Sequence, residues 1–217
     1  MGRLTNVLAV ALSILAGSTV SAQVVDDARL LVELNNARSD PPRYALGLIE
    51  YRSYFHGKLL RYPGSGADIE TDEGVAVVDE ALAYVRQQSS LDKLQPSALL
   101  RAAAAMHLAD QQHSGAVGHV GSDGSSPGIR VKQVGGGPFV AEIISYGSID
   151  AADAMRQLIV DDGVADRGHR SIVYSPELRY AGAACGPHPV YRTMCVIDLG
   201  MTADGRAPLA IIRYASR

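Results

Sequence analysis

Cysteine is scarce in this 217-residue chain, with Cys185 and Cys195 its only two. Two thiols fall short of an all-thiolate zinc site, because no second cysteine pair exists to complete one, and metal ligation by the pair is not expected. Charge of one sign is lacking as well. The 20 basic and 23 acidic residues leave a formal charge of −3, and without a basic face no nucleic-acid partner is expected. Long apolar runs are missing after the N-terminal region, so no later segment reaches the roughly 20 apolar residues that a membrane span needs. There is no internal repeat and no low-complexity tract. Gly135-Gly136-Gly137 lacks the Gly-Lys-Ser/Thr ending of a phosphate loop and precedes a strand pattern rather than a helix. Ser171 has no Gly-x-Ser-x-Gly elbow around it, which argues against a serine hydrolase.

What is present begins with a leader. Arg3 supplies a positive start, Val7 to Leu15 is apolar, and Val20-Ser21-Ala22 is a small-residue cleavage site. Residues 1–22 therefore read as a signal peptide, and the protein as secreted or periplasmic. In such an oxidising compartment Cys185 and Cys195, which flank the turn-forming Gly186-Pro187-His188-Pro189, are expected to form a disulfide across a β-hairpin. The length of 23–217 suits a single domain, with a helical N-terminal part (23–93) and a core (94–217).

Periodicity and capping residues predict helices over Asp26–Arg38, Arg43–Tyr54, Val75–Gln88, Ser97–His113 and Asp150–Val160, with Ser97 and Asp150 as caps. His56–Asp72 reads as a surface excursion and Gly115–Gly137 as a long structured loop. Asp166 is placed to cap a short helix carrying His169. Strand patterns cover Phe139–Tyr146, Tyr180–Cys185, Tyr191–Leu199 and Leu209–Tyr214. Helices first and an antiparallel meander last point to an α+β sandwich.

Two histidine-centred, glycine-bearing segments stand out: Gly118-His119-Val120-Gly121 and Asp161-Asp162-Gly163 through Gly168-His169-Arg170. Between them Glu142 interrupts an apolar strand. The order His, Glu, Asp, His suggests one site assembled from distant segments. The other histidines read differently. His107 and His113 are six apart, which is not the spacing of a helical metal pair, and His107 is expected to be a hydrogen-bonded packing residue. His56 and His188 fall in loops and are expected to be solvated.

Leu99-Leu100-Arg101-Ala102-Ala103-Ala104-Ala105-Met106-His107, followed by Gly118-His119, Asp123-Gly124, Arg130, Glu142 and Gly168-His169-Arg170, resembles the CAP superfamily. That family comprises the cysteine-rich secretory, antigen 5 and pathogenesis-related 1 proteins, also called the SCP domain. Leu34-Asn35-Asn36-Ala37-Arg38 is similar to its opening helix. The resemblance implies a three-layer α-β-α sandwich with a central antiparallel sheet and a cleft holding two histidines and two acids. Carried over, the histidines are His119 and His169 and the first acid is Glu142. The second follows a Trp-x-x spacing in the family. Leu158-Ile159-Val160-Asp161 matches that spacing without the tryptophan, a residue this chain lacks altogether, and with Asp for Glu; Asp162 is the competitor.

Two neutral imidazoles and two carboxylates can bind a divalent metal, zinc above all, act as a general acid–base pair on water, or form a hydrogen-bonded structural knot. Arg130 and Arg170 are expected to orient the acids through charge-assisted hydrogen bonds. The resemblance implies a binding protein for a lipid, a small hydrophobic ligand or a surface partner. A metal-assisted hydrolase and an interaction protein with a purely structural cluster are the alternatives.

Overall fold

Helix starts follow the caps written into the chain. In the computed structural model, which describes residues 25–209, α1 (Asp27–Ser39) is capped by Asp26, whose side chain accepts from the Ala28 amide. Asp40 closes α1 and, through its carboxylate and the Arg43 amide, opens α2 (Pro41–Arg52). That helix starts two residues earlier than predicted, because proline suits a first helical position, where its missing N–H is no loss. The 56–72 excursion is not irregular: β1 (Phe55–His56), β2 (Leu59–Leu60) and β3 (Ile69–Glu70) pair as a small antiparallel sheet. Next comes α3 (Val75–Arg86).

After the two-residue β4 (Gln95–Pro96), α4 (Ala98–Ser114) is capped by Ser97 and ends on Gly115 at φ +69°, a left-handed stop. It buries Leu100, Ala103, Ala104, His107, Leu108 and Gln111, one face at helical spacing. The 115–137 loop conceals a helix, α5 (Pro127–Gln133), capped by Ser126 with Pro127 in its first turn. β5 (Val140–Tyr146) leads to α6 (Ala151–Val160), capped by Asp150 as expected. The short α7 (Gly168–Val173) does not start as predicted. Its cap is Arg167 at φ +52°, with no side-chain cap bond, while Asp166 accepts only from the Gly168 amide.

β6 (Tyr180–His188) and β7 (Arg192–Gly200) form the disulfide-closed hairpin. Cys185 and Cys195 are cross-strand partners with Cα atoms 4.1 Å apart. The main sheet runs β4-β6-β7-β5, so β7 is flanked by β6 and β5 rather than following a meander, and the short β4 joins in parallel. Of the predicted Leu209–Tyr214 strand only Leu209 is described, and the signal segment lies outside the described residues.

Strand alternation sorts the sheet into two faces. Ile143, Ala181, Ala183, Cys195, Ile197 and Leu199 share one core with α1, α2, α3 and α6. Ile144, Ala184, Met194 and Val196 pack against Ala104 and Leu108 of α4. Helices therefore cover both faces, a three-layer α-β-α sandwich. Contact with α4 is close enough that a Cβ on Gly182 would lie 2.0 Å from the Arg101 nitrogen.

Candidate functional site

The two histidines come from opposite helical layers and meet at β5, an edge strand. Their ring centroids lie 6.3 Å apart. His119 follows the C-terminus of α4, and the chain there is pinned before it reaches the ring. The Gly118 amide donates to the Tyr146 hydroxyl at 2.9 Å, while the Gly118 carbonyl accepts from Gln111 at 2.6 Å and lies 2.8 Å from His107 Nε2. Tyr146 in turn donates to Gln111 at 2.7 Å. His107 is thus the buried packing residue expected of it, and burial lowers its pKa.

His119 Nδ1 sits 2.9 Å from Glu142 Oε1. The other oxygen of Glu142 accepts from Arg130 Nη2 at 2.6 Å, and Arg130 Nη1 reaches back to the His119 and Ser125 carbonyls. Arg130 and Glu142 are a buried pair, with side-chain exposures of 3% and 1%. Removing one partner of such a pair leaves an uncompensated charge, at a cost of about 3–5 kcal/mol. The His119 ring itself is half exposed.

The second histidine is held in the same way from the other layer. Asp161 ends α6 in the left-handed conformation at φ +61°, which turns its carboxylate onto the start of α7. There Oδ1 lies 2.6 Å from His169 Nδ1, and Oδ2 accepts from the His169 and Arg170 amides. One carboxylate thereby orients the ring and satisfies the amides that a helix start leaves open. Asp162 points elsewhere, accepting from the Asp72 and Glu73 amides. Both imidazoles thus have Nδ1 against a carboxylate, and neither Nε2 has a hydrogen-bond partner among the described residues.

Three expectations fail here. The Arg170 guanidinium orients no cleft acid. One residue along a helix turns the side chain by about 100°, and Arg170 instead binds Glu80 at 2.7 Å and the Ile159 and Val160 carbonyls. His188 is not solvated: it is buried, with Nε2 3.0 Å from the Ala116 carbonyl. Gly115–Gly137 is not all loop, since α5 is what delivers Arg130.

Sequence reasoning also missed two participants. Arg167 ties the 161–167 turn to α3 by bonding Glu73, Glu80 and the Asp161 carbonyl. Its contact, with that of Arg170, holds the Glu80 carboxyl well below the usual range, at about 2. Asp198 is the second. It is the cross-strand partner of Glu142 and fully buried, and among the described residues its oxygens meet no N–H or O–H donor. Burial first, and the Glu142 charge second, push its pKa up to about 8. Beside an already matched Arg130–Glu142 pair, a neutral Asp198 avoids a second buried negative charge. A lone carboxylate between Ile197 and Leu199 is the same sign that marked Glu142.

The cluster can orient two imidazoles toward one another and leave a nitrogen of each free. Among the described residues no three or more His, Cys, Asp or Glu side chains converge as a metal-holding group, and no helix is long and apolar enough to cross a membrane. The family model described as the cysteine-rich secretory protein family, CAP, matches residues 80–199, more than half of the chain. Among solved structures, an extracellular protein containing a SCP domain from Bacillus anthracis str. Ames superposes with a TM-score of 0.40 at 13% identity, over 58% of this chain. This chain spans 37% of that protein's length. No curated protein sequence matches.

Proposed function

Because this chain belongs to the cysteine-rich secretory protein (CAP) family, we propose that it is an exported binding protein whose His119 and His169 together hold a divalent cation, zinc. The observation that carries the reading is the mirrored construction of the two imidazoles. Each has Nδ1 on a buried carboxylate, Glu142 or Asp161. That arrangement fixes the tautomer and leaves Nε2 free to act as a ligand, as at histidine–zinc sites with carboxylate support. The 6.3 Å ring separation is near the roughly 5 Å expected for two imidazoles on one tetrahedral zinc with Zn–N bonds of about 2.0–2.1 Å. Two protein ligands leave coordination positions for solvent or a bound molecule, which suits capture of a lipid, a small hydrophobic ligand or a surface partner.

A second reading, a purely structural knot, is favoured by how fully Asp161 and Glu142 are used in holding α7 and α5. Thermal melts with and without zinc separate the two, using wild type, His119→Ala and His169→Ala purified without chelator. The proposal expects zinc to raise the wild-type Tm, and each substitution to abolish that rise while leaving the apo fold intact. A wild-type Tm indifferent to zinc, with variants that melt early in its absence by about 1–3 kcal/mol, would remove the metal.

A further inference from the structure

A second cavity, of about 450 Å³, lies beside the cleft; Val160 and Asp162 line it, on either side of the Asp161 that holds His169. Its size is that of a small-molecule site, for which roughly 300–1,000 Å³ is usual. Two aromatic clusters form its walls. Tyr51, Phe55 and Tyr62 come from α2, β1 and the β2–β3 loop, with Tyr51 and Phe55 packed edge-on at 5.1 Å. Tyr146 and Tyr191 come from β5 and the β6–β7 turn, 5.5 Å apart.

The remaining charged groups on the wall are all acidic. Glu70, Asp153 and Asp162 line the cavity, and among the described residues no lysine, arginine or histidine does. Aromatic rings beside the carboxylates of Glu70 and Asp162, with no basic residue in the lining, suit a cation with an apolar coat. The Arg156 guanidinium lies 5.4 Å over Tyr51 and 3.5 Å from Asp153, so it already matches that ring and that carboxylate, and Glu70 and Asp162 are the acids left to a ligand. Burial pushes Tyr51 up to about 12 and raises Tyr62 further, where the hydroxyl donates to Asp153.

We propose that this cavity binds a quaternary or methylated ammonium group, free or as a lipid headgroup, between the Tyr51–Tyr62 and Tyr146–Tyr191 walls. This site rests on its own lining and not on the metal reading. Calorimetry on the secreted protein with choline chloride tests it, alongside the uncharged tert-butyl isostere in which carbon replaces the ammonium nitrogen. Choline should bind at least about tenfold more tightly than the isostere. Tyr191→Ala and Glu70→Gln, both at exposed positions, should each weaken choline about three- to tenfold with Tm unchanged. Co-sedimentation with phosphatidylcholine and phosphatidylglycerol vesicles distinguishes the source. Selective retention on phosphatidylcholine, lost in Tyr191→Ala, assigns a headgroup, and choline binding without retention assigns a free ligand. Equal affinity for choline and isostere, or equal retention on both vesicles, would overturn the proposal, as would no binding in either format.

Discussion

Asp198 shows what a single residue can hide. His119, Glu142, Asp161 and His169 were legible because glycine-flanked histidines and a carboxylate in an apolar strand break the local pattern. Asp198 breaks it equally, yet its place opposite Glu142 depends on strand register, which composition does not reveal. The choice between Asp161 and Asp162 was likewise closed by backbone, since the left-handed turn at Asp161 sends adjacent carboxylates to different segments. The raised pKa of Asp198 makes a prediction. A carboxyl whose pKa is higher folded than unfolded contributes stability that is complete below about pH 4 and is lost as pH climbs toward about 8. Wild type should therefore lose stability across that window, by about 1.4 kcal/mol per pKa unit of displacement. Asp198→Asn should flatten the profile and gain relative to wild type at pH 8. Parallel Tm–pH curves for the two proteins would show that Asp198 is not the group responsible.

At the scale of elements, caps and apolar periodicity placed α1, α3, α4 and α6 to within a residue or two. What escaped were pieces too short to show a period: β1 to β3, two residues each, and the seven-residue α5 amid glycines. These elements are held by tertiary contact rather than by their own propensity. The close seating of α4 on β6 is another tertiary fact, and it makes Gly182 indispensable. Any side chain there meets the backbone at Leu100 and Arg101, which cannot swing aside as a flexible side chain could. Gly182→Ala should cost about 1–3 kcal/mol, as overpacked core positions do, whereas Gly47→Ala, with open space around it on α2, should be neutral or slightly stabilising. Chemical denaturation of the two variants checks this, and equal midpoints would contradict the seating described.

Taken whole, the molecule has its layers joined by a sheet whose hairpin is covalently closed. The bridge between Cys185 and Cys195 spans a separation of 10 residues, a short loop, so its restriction of the unfolded chain is worth about 2–3 kcal/mol. Reduction, or the paired Cys→Ala variant, should lower Tm by about 5–10 °C without changing the fold. An unchanged Tm would mean the unfolded chain is already restricted there. The arrangement of the sheet carries a consequence for the order of events in a cell. Among the described residues every pairing in the main sheet except the two-residue β4–β6 contact involves β7, which spans Arg192–Gly200 and follows all the other elements. A ribosome must therefore have passed Gly200 before the sheet is complete. Until then α4 lacks the sheet surface formed by Ala184, Met194 and Val196 against which it buries Ala104 and Leu108. Closure of the sandwich is thereby postponed until the last described strand has been made.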